Sequence, residues 1–417
     1  MTENAVFLPL FAGFGIEIEY MIVDRGRLSI LPATDRVMKT VAGEFVNDIE
    51  VGPIAWSNEL VLHLIELKTN GPVAALAALP EQFLANVRHV NDILGAMNGR
   101  LMPTAMHPWM DPELETRLWP HEANEIYDTF NRIFDCQGHG WSNLQSMHLN
   151  LPFADDGEFA LLHSAIRVLL PVMPAITASS PIMNGVFTGL MDNRLEAYRH
   201  NADRIPAITS LVIPEHVTGR QDYRDRILQP MFEAIAPYDP EGILQHEWLN
   251  ARGAIARFER NTIEIRILDT QETPAADLAI ASIIISVLKT LVAGTWSDLN
   301  RQAETGTEKL AGIFSDAIRD AERTVIADRD YLALFDFPDR RCEARELWQY
   351  FVESVSAEES ESIPARDEIL RFILNRGPLA RRIIEAVGEG VRRPRLDACY
   401  RELCDCLAEG RLFEGID

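Results

Sequence analysis

Basic residues are scarce in this 417-residue chain: 39 lysines and arginines face 63 aspartates and glutamates, for a net charge of −24. A surface so acidic repels phosphate backbones and anionic lipid headgroups, which argues against nucleic-acid and membrane-surface partners. A small polyanion such as ATP remains compatible, provided that metal ions neutralise the carboxylates around it. Cysteines are also few. Five in a chain of this length make no disulfide framework, and "CYRELCDC" (399–406) has neither a common zinc spacing nor a nearby histidine. These read as helix thiols of a protein in a reducing compartment. The most apolar stretch, "AADLAIASIIISVLKTLVAG" (275–294), holds Asp277 and Lys289 and follows Pro274, so it reads as a buried helix and not a membrane span. The opening "MTENAVFLPLF" lacks a basic n-region and carries Glu3, which speaks against a secretory signal and for a cytoplasmic protein. Neither an internal repeat, a Walker-type glycine loop nor a Rossmann fingerprint is found.

Residues 1–155 mix strand-like runs with the helical "PVAALAALPEQFLANVRHVNDILGAM", and residues 156–297 alternate helices with further strands. From 298 onward the pattern turns mostly helical, interrupted by an acidic "SAEESES" (356–362) that reads as an exposed linker. This order predicts an α+β fold around a mainly antiparallel sheet, with residues 1–297 as one unit and the helical 298–417 packed on it. Pro103 to Asn124 forms a long irregular stretch with four prolines, Trp109 and Trp119. A segment of that kind serves either as a packing loop or as a lid.

Four polar strands carry the chemistry. In "FGIEIEY" (14–20), Glu17 and Glu19 alternate with Ile16, Ile18 and Tyr20, and residues two apart on a strand share a face. Two carboxylates on one face repel unless water, a cation or a basic partner compensates them. In "NELVLHLIELKTN" (58–70), read as one strand, Leu60, Leu62, Leu64 and Glu66 share a face. Glu59 falls on the other face, so a bulge or bend is needed before both glutamates can serve one site. In "SMHLNLP" (146–152), His148 and Asn150 make a polar strip. In "AIARFERNTIEIRILD", a two-residue turn at Arg260–Asn261 would oppose Arg257 to Glu264 and put Arg257, Glu259, Glu264 and Arg266 on one side. A solvated salt-bridge lattice is the plain reading of that hairpin alone. Together the four strands offer oxygen ligands for hard divalent cations beside arginine forks for phosphate.

As an ordered set, "GIEIEY", "ELVLHLIELKT", "SMHLNLP", "ASSPI…TGLMDNRLEAYR" and "NTIEIRILD" resemble the motifs of the glutamate–cysteine ligase family, and more closely its bacterial carboxylate–amine ligase branch, over residues 12–297. The resemblance implies a glutamine-synthetase-like curved sheet that holds ATP with two or more Mg²⁺ or Mn²⁺ ions. It implies metal ligation by Glu17, Glu19, Glu59, Glu66, His148 and Glu264. Nucleotide contacts would come from His148, Asn150, Arg257 and Arg266, with Arg266 and Glu264 at the transferring phosphoryl group and Arg199 at the amino-acid substrate. Relatives would carry a further acid where this chain has Leu62, which leaves the metal count open. The implied reaction joins an amino-acid carboxylate, glutamate foremost, to cysteine or another amine through an acyl phosphate. Its partners are small molecules, and a homo-oligomer is compatible. A glycosidase would need the paired carboxylates but not the arginines. A phosphagen-type kinase would leave a phosphorylated product and no amide, and a non-catalytic Mg·ATP-binding protein would hold the nucleotide without turnover.

Overall fold

The computed structural model describes residues 7–122, 124–388 and 390–416, so the reading of the first six residues as no signal lies outside the described residues. The strands are β1 (Gly15–Asp24), β2 (Asp48–Val51), β3 (Ile54–Asn58), β4 (Leu64–Thr69), β5 (Gly99–Met102), β6 (Ser146–Pro152), the small hairpin β7 (Ile182–Met183) and β8 (Val186–Phe187), then β9 (Ala254–Arg257), β10 (Thr262–Asp269) and a second short pair, β11 (Val325–Ile326) and β12 (Cys342–Glu343). All but the pairs β7–β8 and β11–β12 join one antiparallel sheet in the order β2-β3-β4-β1-β6-β10-β9, with β5 beside the second half of β1. The period-two alternation holds: Ile16, Ile18 and Tyr20 of β1, Leu67 of β4, Leu149 of β6 and Ile265 of β10 are fully buried in one core. Helices Leu79–Gly95, Asp156–Leu169 and Pro274–Val292 supply the other half of that core, so this face of the sheet is covered and the opposite face is left for Glu17 and Glu19.

The helix Pro274–Val292 is long and apolar enough to cross a membrane, yet most of it lies buried inside the fold. It packs against helices Leu79–Gly95, Asp156–Leu169 and Arg366–Arg376. The "SAEESES" segment is no simple exposed linker, because Glu361 is fully buried and pairs with Lys289 at 2.7 Å.

Two expectations about strands fail for local reasons. Residues 58–70 are not one strand: β3 ends at Asn58, β4 starts at Leu64, and the chain reverses between them. Leu62 spends its backbone carbonyl on the amides of Ala33 and Thr34 instead of on a ladder. The hairpin turn is also longer than two residues, since Thr262 opposes Arg257. Arg257 keeps its predicted face, but Glu259 falls in the exposed turn. Beyond it, β10 slips register against β6 between Ile265 and Leu268, a bulge at Arg266–Ile267. Gly253 is required there, because a Cβ would lie 2.7 Å from the Ile267 side chain.

The stretch 103–122 is packed into the fold in its first part and more exposed from Asp111 onward. Met102 through Pro108 are buried, Trp119 is buried, and Trp109 lies edge-on to Tyr400 with the Arg393 guanidinium 3.9 Å above it.

The C-terminal helices are tied to the sheet by a buried ion pair. Arg382 donates to Glu272 just after β10 at 2.5 Å and to the Phe413 carbonyl at 2.9 Å. Arg382→Met leaves the Glu272 charge buried and without its cation, and should cost about 3–5 kcal/mol in chemical denaturation. A loss below about 1 kcal/mol would mean that water reaches Glu272.

Candidate active site

The uncovered face of the sheet carries a cleft of about 900 Å³. Register sets its floor. Glu17 lies between Lys68 of β4 and His148 of β6, while Glu19 lies directly opposite Glu66. Glu59, on the reversal between β3 and β4, returns to the same cleft. The bend that parity demanded is therefore a complete turn of the chain.

A hydrogen-bonded chain links these groups. His148 Nδ1 donates to Glu17 Oε2 at 3.0 Å, and Asn150 Nδ2 donates to Glu17 Oε1 at 3.0 Å. Ser146 donates its amide (2.6 Å) and its hydroxyl (3.0 Å) to Glu19 Oε2. With its hydroxyl proton so used, Ser146 can only accept from His148 Nε2 at 2.9 Å, which makes both ring nitrogens donors. The imidazolium is favoured accordingly. Burial works against it, but Glu17, Glu19 and Glu264 raise the His148 pKa on balance. Burial alone would raise Glu17, yet the hydrogen bond and charge of His148, with Lys68 and Arg266, pull it down to about 2.

The neighbouring carboxyls behave oppositely. Burial, then the charge of Glu17, pushes Glu66 up to about 7 against the pull of Lys68 and the Ser57 hydroxyl. Burial and the charges of Glu66 and Glu19 push Glu59 well above the carboxylate range. Lys68 Nζ, shared between Asp48 (2.8 Å) and Glu66 (3.2 Å), is the near cation on this side.

Two groups of side chains have metal-ligand spacing, with one ligand atom of each member within 4.8 Å of the others: Glu17, Glu66 and His148, and Glu19, Glu59 and Glu66. Glu66 belongs to both. Carboxylate oxygens with one imidazole suit a hard divalent cation such as Mg²⁺ or Mn²⁺, and the mutual repulsion of Glu19, Glu59 and Glu66 is what such an ion relieves. Glu264 stands outside both groups. Its Oε1 accepts from Arg266 Nε (3.1 Å) and Nη2 (2.6 Å), its Oε2 accepts from Arg257 Nη1 (3.3 Å), and it lies 3.9 Å from His148.

A metal ion held by these groups would have to displace protons from them. In the metal-free fold Glu66 keeps its proton up to about pH 7, whereas the unfolded chain releases it near 4.5. The folded state therefore binds the extra proton in that window, and metal-free stability should fall as pH rises through it. A divalent cation should offset the loss, so Mg²⁺ should raise the melting temperature more at about pH 8 than at about pH 5 and release protons on binding. An equal Mg²⁺ effect at both pH values would separate Glu66 from the ion.

One expected residue is elsewhere. Arg199 ends helix Asn193–Tyr198, does not line the cleft, and pairs with Glu196 (3.4 Å) and Ser315 (3.1 Å). Arg194 lines it instead, buried, bonded to Asp269 (3.3 Å) and to the Arg266 carbonyl (2.6 Å), with its Nε unpartnered. Five residues correspond to roughly 140° around a helix, so only one of the two arginines can face the cleft. Asp192 caps that helix by accepting from the Leu195 amide at 2.8 Å, which fixes Arg194 in its first turn. Lys68, Ser57 and Ser146 also escaped the sequence reading, although Lys68 is two residues from Glu66 and shares its face.

The same architecture occurs in glutamate–cysteine ligase from Francisella tularensis, solved in complex with AMP: TM-score 0.57, 14% identity, covering 95% of this chain and 89% of that one. A helix-backed antiparallel sheet of glutamine-synthetase-like type, with metal-spaced carboxylates beside an arginine fork, defines an ATP-dependent carboxylate–amine ligase. The chain belongs to glutamate–cysteine ligase family 2, whose model matches residues 13–401, well beyond the stretch that carries the motifs. An uncharacterized protein of Archaeoglobus fulgidus is 35% identical over 302 residues, 71% of this chain and 80% of that one. The "Putative glutamate--cysteine ligase 2" of Ruegeria pomeroyi is 26% identical over 66% of this chain, and the match spans 65% of that protein.

Proposed function

We propose that the protein couples the carboxylate of an amino acid, glutamate foremost, to an amine, with ATP converted to ADP and phosphate through an acyl phosphate. The observation that carries this reading is the Arg257–Glu264–Arg266 cluster beside His148 and the two metal-spaced groups. A phosphoryl group in transfer needs cations and rigid donors around its oxygens, and little covalent chemistry from the protein. Bound divalent ions, held by Glu17, Glu66 and His148 and by Glu19, Glu59 and Glu66, would neutralise the phosphate oxygens. Arg266 presents its guanidinium to the transferring group, and Glu264 fixes the plane of that guanidinium through two hydrogen bonds to one oxygen. Arg194, held at the cleft wall by Asp269 and the Arg266 carbonyl, supplies positive charge on the side of the acid substrate's carboxylate. All five cysteines are free and buried, in keeping with a reducing, cytoplasmic setting.

The test is ADP and phosphate release over a panel of amino acids and amines with Mg²⁺, followed by mass spectrometry of the products. Release that depends on both an acid and an amine, with an amide product, supports the reading. A phosphorylated product without an amide, or binding without turnover, contradicts it. Within that assay Arg194→Lys should raise the KM for the acid about tenfold or more, since the planar fork is lost. Arg199→Lys should leave it within about twofold, as for an exposed pair. The reverse ranking would return the substrate to Arg199.

A further inference from the structure

We infer that Asp269 is a positioning residue: through Arg194 it locks the β10 bulge that aims Arg266 at the transferring phosphoryl group. The inference rests on the ligase reading and adds a residue to it. Residues three apart on a regular strand point to opposite faces, so Arg266 and Asp269 would lie on different sides of the sheet. The bulge changes that. Glu264 opposes Asn150, but after the slip Leu268 opposes Met147 and Asp269 opposes Ser146. Ser146 and Asn150 both line the cleft, and directly opposed residues share a face. Asp269 therefore comes round to the same side as Glu264 and Arg266.

Arg194 reaches both residues. Its Nη1 donates to Asp269 Oδ1 at 3.3 Å, and its Nη2 donates to the Arg266 carbonyl, in the bulge itself, at 2.6 Å. The Arg266 amide donates to the Gly253 carbonyl at 3.0 Å, so the backbone on both sides of Arg266 is held. Asp269 is fixed in its turn. Its Oδ2 accepts from the Ser179 amide at 2.8 Å and from the Ser180 hydroxyl at 3.0 Å. The Ser180 hydroxyl also accepts from the Arg194 amide at 3.1 Å, which ties the first turn of that helix to the same carboxylate. Asp269 is fully buried and does not line the cleft, so it works through Arg194 and not on a substrate.

Two constraints thus act on Arg266. Glu264 sets the plane of its guanidinium, and the Asp269–Arg194 pair sets the backbone from which it extends. A bulge interrupts the ladder, and the carbonyl it releases needs a donor from elsewhere. Removing the Asp269 charge leaves the Arg194 guanidinium buried without its carboxylate, so the hold on that carbonyl loosens. A displacement of about 1 Å at a catalytic group can cost about a hundredfold in rate. In the step concerned, an oxygen of the acid's carboxylate bonds to the γ-phosphorus of ATP. The bond from that phosphorus to the bridging oxygen breaks, and ADP departs with the electron pair.

The experiment follows ADP formation in a single turnover on the full chain, with Mg·ATP and whichever acid supports turnover, and hydroxamate formation from hydroxylamine as the coupled readout. Asp269→Asn, which keeps the shape and removes the charge, should slow ADP formation about tenfold or more and leave the KM for ATP within about threefold. In an Arg266→Lys background the same substitution should slow it by less than about threefold, because a residue that works through Arg266 has nothing left to position. Ser180→Ala, a milder change that removes one donor to Asp269, should cost about threefold in the wild type and nothing in the Arg266→Lys background, and it decides the matter if Asp269→Asn does not fold. Losses that multiply in the double variants overturn the inference. So does an Asp269→Asn defect that disappears at saturating acid, since Asp269 would then only orient Arg194 for the acid. Hydroxamate formation by a wild type whose losses multiply overturns this inference alone. Absence of acid-dependent ADP and of hydroxamate from the wild type overturns the ligase reading, and the inference with it.

Discussion

Arg266→Lys is expected to slow phosphoryl transfer by about two to three orders of magnitude while changing ATP affinity only modestly. The guanidinium bonds Glu264 Oε1 through both Nε and Nη2, so its plane is fixed before any substrate arrives. Lysine keeps the charge but cannot make two parallel bonds to one carboxylate, and its ammonium would swing on a flexible stem. Donors aimed at developing charge contribute mainly in the transition state, so the loss should fall on kcat. Pre-steady-state formation of ADP reads this directly. If Arg266→Lys instead weakens ATP binding and leaves the rate of the chemical step unchanged, the arginine only anchors ground-state phosphate.

Glu66→Gln should abolish turnover, with a fall of about a thousandfold or more, and leave the metal-free fold at least as stable as wild type above pH 7. Glu66 is the member common to both metal-spaced groups, so its loss disturbs both. Its carboxyl is pushed up to about 7 by burial and by Glu17, so the amide resembles the protonated form that the metal-free fold prefers. Glu17→Gln should also abolish turnover but should cost stability, because His148 and Asn150 both lean on that charge. A Glu66→Gln protein that melts far below wild type at pH 8 would make this residue structural.

The sequence made the polar strands legible because alternation needs only neighbouring residues. Glu17 and Glu19 opposite an isoleucine face, and the His148–Asn150 strip, occupy their expected faces for that reason. What it could not supply was how the chain reverses. Residues 58–70 keep strand-like alternation through a turn, since Leu60, Val61 and Leu64 are needed by a second apolar cluster beside β5 and the C-terminal helices. The hairpin turn was read two residues too short because Arg260–Asn261 looks like a tight turn, and its true length depends on Phe258 packing against Phe153. That Arg194 lines the cleft and Arg199 does not depends on helix phase, which Asp192 sets as the cap. The apolar lining of the cleft was invisible for a different reason: Tyr127, Phe130 and Trp141 reach the same cleft as Leu60 and Leu64 only through the tertiary fold.

The central claim is that ATP activates a carboxylate at this cleft. It is tested most directly by supplying the acid substrate with ¹⁸O in its reacting carboxylate, with Mg·ATP and an amine, and measuring the released phosphate by mass spectrometry. An acyl phosphate requires that one ¹⁸O pass from the acid to each phosphate formed alongside the amide. Amide formed together with phosphate that carries only unlabelled oxygen would contradict the account, since the oxygen lost from the acid would then have left by another route.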